Sequence, residues 1–307
     1  MLAFTVKARS SSGGKADFRA DSEVGEKSRQ LLASQLESRQ LRLVWLTLEH
    51  GIRLIRIREH RSIPNHSHCR LDRQSFTLPT RGEAGHHVPQ SDATALASTS
   101  LGQCRSQPGV VSLAAVCSDQ IEFDALGRPL ADAALLATPG WAAAFTTADC
   151  LPIVLTAEVA TPATGPLVVA VHAGWRSLAA GIIEVAVAAL RAEPGYAHAR
   201  LCCWVGPGIA ATDYEISEEV RTLLLRRLEQ ASVSDPEAFF VPNRPGHWLA
   251  DLPSSAAAIL AAAGLKASDI SICPLSTFSS PDLHSARRDG AASGRMATVA
   301  ALLPEGY

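Results

Sequence analysis

Two methionines and three tyrosines are all that this 307-residue chain contains of those residue types. The methionines are Met1 and Met296, so a blue-copper centre with an axial methionine has almost nothing to draw on. Charged residues are sparse, at 19%, and nearly balanced, at a net charge of −2. A chain of that balance carries no electrostatic footprint for nucleic acid. No apolar stretch reaches the roughly 18 residues that a membrane span requires. The run from Met1 to Arg9 lacks the long apolar core of a signal peptide. The expected compartment is the cytoplasm, with no membrane partner. Seven cysteines form an odd set without regular spacing, which argues against a secreted disulfide framework. Adjacent Cys202 and Cys203 read as small buried hydrophobes on opposite faces of a strand.

What the chain does have is apolar residues, 47% of the total, enough for a sizeable core. Residues 23–38 read as an amphipathic helix with Leu31, Leu32 and Leu36 on one side, and 41–57 as strand, turn, strand around His50-Gly51. Periodicity is lost from 59 to 128, where His, Ser, Pro, Arg and Gln accumulate. That segment is expected to be a poorly ordered insertion or surface excursion within a single domain covering 1–307. Beyond Leu130 the chain alternates. Strands are expected at 142–147, 151–156, 167–171, 199–205 and 270–273, and helices at 178–191, 218–231 and 254–263. Unequal spacing of these elements favours an α+β fold, a mixed sheet packed with helices.

Two runs concentrate the chemistry. Thr147-Ala148-Asp149-Cys150-Leu151-Pro152 and Val169-Ala170-Val171-His172-Ala173-Gly174-Trp175-Arg176 each place one metal-ligand side chain at the end of an apolar strand. A strand ending in a lone Cys or His before a turn delivers that side chain to a sheet rim, where α/β proteins hold their sites. Trp45-Leu46-Thr47-Leu48-Glu49-His50-Gly51 repeats the pattern. His50, Cys150 and His172 form a donor set suited to zinc, with copper as the competing metal. Three protein ligands leave a fourth position open, as in catalytic zinc sites. The alternative is that Cys150 is simply a core residue, since none of these gaps is a compact ligand signature. Asp149 is either an orienting carboxylate or an ordinary cap. His60, His66, His68, Cys69, His86 and His87 are richer in ligands but lack a scaffold to hold them.

A basic group follows at His284-Ser285-Ala286-Arg287-Arg288-Asp289-Gly290 and Ser293-Gly294-Arg295-Met296. Guanidinium groups bind phosphate or carboxylate bidentately, and Arg176 would join them if the segments meet. A solvated arginine patch is the competing reading. Gly206-Pro207-Gly208 is a weak phosphate loop, because no Lys-Ser/Thr follows.

Taken in order, these runs, with Gly206-Pro207-Gly208-Ile209 and Tyr214-Glu215, resemble the YfiH-type family. That family is also called laccase-domain or polyphenol-oxidase-like and is described as purine nucleoside phosphorylases. The likeness covers most of the chain from about 130 to 303. It implies a CNF1/YfiH-type α+β fold and a zinc on His50, Cys150 and His172. It also implies phosphorolysis of adenosine, inosine, guanosine and methylthioadenosine, together with deamination of adenosine. Purine nucleosides and phosphate are then the partners of a monomer or homodimer. Cys150, Arg176, Arg287 and Arg288 are the catalytic residues expected on this reading, the arginines positioning phosphate. The sequence departs from the family in the 59–128 segment and in a degraded N-terminal run, Val6-Lys7-Ala8-Arg9. It departs again at Ser177 in place of glycine and at Cys273-Pro274. Competing functions are a copper phenol oxidase, a hydrolase with Cys150 as nucleophile and His172 as base, and a non-enzymatic binding protein.

Overall fold

The structure is a computed structural model that describes residues 2–6, 17–19, 22–59, 111–115, 121–158 and 165–304. In chain order its first elements are β1 (Leu2–Val6), α1 (Glu23–Glu37), β2 (Arg42–Trp45), β3 (Leu54–Glu59), β4 (Val111–Ala115), β5 (Ala133–Leu136), β6 (Trp141–Thr147) and β7 (Leu151–Glu158). Next come β8 (Leu167–Ala173), α2 (Trp175–Ala180), α3 (Ile182–Ala192), β9 (Arg200–Val205), β10 (Glu215–Ser217) and α4 (Glu218–Gln230). The chain closes with β11 (Phe240–Arg244), β12 (His247–Ala250), α5 (Leu252–Ala262), β13 (Ile270–Ile272), α6 (Ala286–Asp289) and β14 (Met296–Leu302).

The α+β expectation holds. A seven-stranded mixed sheet runs β13-β9-β7-β8-β5-β3-β4, and a four-stranded sheet runs β1-β14-β6-β2. The small sheet β10-β12-β11 stands apart from both. Strand alternation sends successive side chains to opposite faces, and both faces of the large sheet are buried. Leu151, Ile153 and Leu155 face a core shared with Ile182, Ile183, Ala186 and Leu190 of α3 and Leu260 of α5. Val154, Val168 and Ala170 face the other way, against Trp141, Ala143 and Phe145 of the second sheet. The far side of that sheet packs Ala142, Ala144 and Val299 on Leu32 and Leu36 of α1. The layers are thus helix, sheet, sheet, helix. The small alanines of β6 fit where strands are covered on both faces.

Three expectations change. Leu31 is exposed on α1, whose buried side carries Arg29, Leu32 and Leu36. The helix expected across 178–191 is broken at Gly181, which adopts φ +99 and separates α2 from α3. A side chain there would be strained and would meet the Arg227 guanidinium at 3.1 Å. Within the stretch read as an insertion, β4 pairs antiparallel with β3, and 121–128 carries a turn closed by Asp124. The rest of it, 60–110 and 116–120, lies outside the described residues, and so does the His60–His87 group of ligands.

Candidate metal centre

Sheet register brings the three ligand-type residues to one rim. Leu54 of β3 pairs with Ala133 of β5, and Ala133 pairs with Val171 of β8. The residues before Leu54 and Ala133 and the one after Val171 therefore emerge together. On the other side of β8, His172 pairs with Pro152 of β7, which leaves Cys150 at the same edge. One ligand atom from each of His50, Cys150 and His172 lies within 4.8 Å of the other two. The imidazoles meet edge to face, with centroids 5.0 Å apart at 90°. His172 is buried, Cys150 is partly exposed and His50 is exposed, so the cluster opens on the His50 side.

Charge in the cluster is already organised. Burial pushes the Cys150 thiol up, but hydrogen bonds with His172 and His50 outweigh it and hold the thiol well below its usual range. Burial works against charge on His172 as well, yet Asp132 and Cys150 raise it above the ordinary imidazole range. The two imidazoles thus favour the thiolate, the form that binds soft metals. Gly174 roofs the cluster. A Cβ there would stand 2.9 Å from Cys150 Sγ and 3.6 Å from a ring carbon of each histidine.

Two aspartates build the surroundings. Asp132, fully buried, lies 2.9 Å from His172 Nδ1 through Oδ1, and its carboxylate accepts the backbone N–H groups of His50 at 3.0 Å and Gly51 at 2.8 Å. The sequence reading passed over it. Its signal was a lone acid inside Leu130-Ala131-Asp132-Ala133-Ala134-Leu135-Leu136, since a buried carboxylate needs partners. Asp149 sits in the turn before β7 with φ +88, an uncommon conformation that Asp tolerates better than most residues. Its carboxylate accepts Thr277 Oγ1 and the Arg287 backbone N–H, each at 2.6 Å. It ties the Cys150 turn to the basic segment.

The arginines divide. Arg176 is exposed, with its guanidinium 4.4 Å from the Trp175 ring centroid and no ion pair among the described residues. Arg287, also exposed, lies 5.2 Å over Tyr214 and donates to the Glu215 carbonyl at 2.9 Å. Arg288 is different. Its guanidinium donates to the carbonyls of Thr277, Phe278, Ser280 and Leu283 and to Asp289, so it clamps a loop and has no face left for an anion. Arg295 is similarly engaged by the carbonyls of Ser293 and Gly294. Tyr214 is buried, and its phenol is pushed up by burial and by the charge of Cys150, with Arg287, Asp149 and Arg176 also in electrostatic reach. Burial thus favours the neutral phenol.

Ser177 is fully buried in α2, and its hydroxyl has no protein partner among the described residues. Replacing Ser177 by Ala should stabilise the fold by about 1 kcal/mol, raising Tm by roughly 2–4 °C in a calorimetric melt. A lower Tm would mean that the hydroxyl has a partner.

A family model described as multi-copper polyphenol oxidoreductase laccase matches residues 82–303. A purine nucleoside phosphorylase of Xylella fastidiosa (strain 9a5c) is 39% identical over 173 residues, 56% of this chain and 61% of that protein. Purine nucleoside phosphorylase YfiH of Escherichia coli (strain K12) is 36% identical over 104 residues, 34% of this chain and 39% of that protein. This chain thus spans about six-tenths or less of those curated relatives. Among solved structures, Neisseria meningitidis protein NMB0706 superposes with TM-score 0.60 at 22% identity, over 94% of this chain and 87% of that one. YlmD from Geobacillus stearothermophilus gives 0.51 at 25% identity, over 59% and 64%. No helix among the described residues is long and apolar enough to cross a membrane. With a family model spanning the segments that carry Cys150, His172 and the arginines, the chain belongs to the YfiH-type, laccase-like family.

Proposed function

We propose that this protein is a zinc-dependent purine nucleoside phosphorylase with adenosine deaminase activity. The observation that carries the reading is the convergence of His50, Cys150 and His172 on one point beneath Gly174. The donor set fits zinc: one thiolate and two imidazoles, with room overhead that any Cβ would fill. It fits a multi-copper centre poorly, because a single such cluster occurs among the described residues and Met296 is buried in β14 opposite Thr147. Bound there, zinc would supply Lewis acidity at one open position.

The protein's own residues account for the rest. Arg176 and Arg287 hold the phosphate dianion, and stacking on Trp175 and Tyr214 limits their motion. A phosphate oxygen attacks C1′ of the ribose, the C1′–N9 bond breaks, and the departing base takes up the proton that the hydrogen phosphate releases. The products are free purine and ribose 1-phosphate. Replacing either Arg176 or Arg287 by Ala should raise KM for phosphate about 10- to 100-fold, the range of one lost charge-assisted contact. Arg288→Ala should disturb stability more than KM. Initial rates against phosphate concentration check both statements.

A second reading has its own observation. Cys150, His172 and Asp132 stand in the order nucleophile, base, orienting acid, which suits a cysteine hydrolase. Chelation separates the two, since a hydrolase keeps its activity without metal. The deciding assay is chromatography of zinc-loaded protein incubated with adenosine and phosphate. Adenine plus ribose 1-phosphate marks phosphorolysis, and inosine marks deamination. The absence of both from zinc-loaded protein would overturn the proposal.

A further inference from the structure

We infer that Asp132 is the positioning residue of the metal site, one carboxylate that sets both histidines at once and so makes the site assemble as a unit. The inference rests on the zinc reading above and deepens it.

Asp132 is fully buried, and its one ionic contact among the described residues is with His172. A carboxylate in that position is costly unless every lone pair is used. Here Oδ1 is shared by His172 Nδ1 at 2.9 Å and the His50 N–H at 3.0 Å, while Oδ2 takes the Gly51 N–H at 2.8 Å. The backbone reinforces the link, because His172 N–H donates to the Asp132 carbonyl at 2.7 Å. These contacts have two consequences. A proton held on Nδ1 by the carboxylate leaves the Nε2 lone pair of His172 for the metal, the carboxylate–histidine–metal arrangement. The two backbone N–H contacts also hold the His50-Gly51 turn, in which His50 adopts φ +62, a left-handed conformation uncommon outside glycine. The ligands come from β8 and from the β2–β3 connection, and the carboxylate at the head of β5 is what joins them.

An amide cannot do the same. In Asp132→Asn, if the oxygen faces His172 and His50, the NH2 group opposes the Gly51 N–H. If the amide is turned over, the NH2 group faces His172 Nδ1, which then becomes an acceptor, and the ring proton moves to Nε2. One orientation loosens the His50 turn, and the other removes the His172 lone pair from the site.

The test uses the full chain and zinc titrated against a chromophoric chelator, with cobalt(II) substitution as the second readout. Wild-type protein should bind one zinc, and cobalt should give a thiolate charge-transfer band. Asp132→Asn should bind zinc about 10- to 100-fold more weakly, with a weakened or shifted cobalt spectrum. Equal zinc affinity and an unchanged spectrum in the variant would overturn the inference while leaving the zinc reading intact. Failure of wild-type protein to bind zinc would overturn the zinc reading itself, and the inference with it. If the variant does not fold, ¹⁵N spectra of zinc-loaded wild-type protein decide. A proton on His172 Nδ1 with Nε2 metallated supports Asp132 as the orienter, and the reverse tautomer overturns it.

Discussion

Replacing Cys150 by Ala should remove zinc and turnover together. A structural four-ligand zinc site provides roughly 12 kcal/mol of apparent binding energy, so one ligand is worth about 3 kcal/mol, on the order of a hundredfold in affinity. Cys150 is the sole thiolate in the cluster, and the open position gives the metal no protein ligand to fall back on. Residual phosphorolysis should fall below about 1% of wild type at micromolar zinc. The fold should survive, because Cys150 lies in the turn before β7, outside the apolar clusters. Metal analysis of the purified variant beside its melting curve checks both halves. One zinc per chain in Cys150→Ala would mean that the sulfur is not a ligand.

Gly174→Ala should have the second-largest effect, for a purely steric reason. Its backbone, at φ −73 and ψ 167, is open to any residue, so alanine brings no conformational strain. As an N-cap, alanine is inferior to glycine by at most about 1 kcal/mol. The new methyl, however, would stand 2.9 Å from Cys150 Sγ, while meeting both imidazoles only at ordinary contact distance, 3.6 Å. The sulfur would have to move by several tenths of an ångström, and metal–ligand distances tolerate only about 0.2 Å. Zinc affinity should drop about 10- to 100-fold while the Tm of metal-free protein changes little. Chelator competition and melting on the same preparation measure the two effects separately. Unchanged affinity would mean that the metal site does not lie under this glycine.

Much of this was legible in the chain. Cys150 and His172 announced themselves as polar residues capping apolar strands, and His50-Gly51 as a turn between two more. The helices expected over 218–231 and 254–263 are found at Glu218–Gln230 and Leu252–Ala262, with Ser217 and Asp251 as their caps. Other features were hidden because they depend on long-range pairing. Asp132 is an ordinary acid until β3, β5 and β8 align it with two histidines. The pairing of β1 with β14 joins opposite ends of the chain, and no local pattern encodes that. Arg288 looked equivalent to Arg287. Only the loop from Thr277 to Leu283, folded around its guanidinium, separates a fully engaged clamp from an exposed cation with a single carbonyl contact. Gly181 takes the left-handed φ that separates α2 from α3, and Arg227 occupies the space a side chain there would need.

On the proposed reading, phosphate-dependent cleavage of a purine nucleoside requires one metal held by His50, Cys150 and His172. The most direct test strips the protein with chelator and follows inosine cleavage in phosphate as zinc is added back. Metal-free protein should release no hypoxanthine, activity should rise to a plateau at one zinc per chain, and no cleavage should occur when phosphate is omitted. Full activity in metal-free protein, or cleavage that ignores phosphate, would contradict that reading.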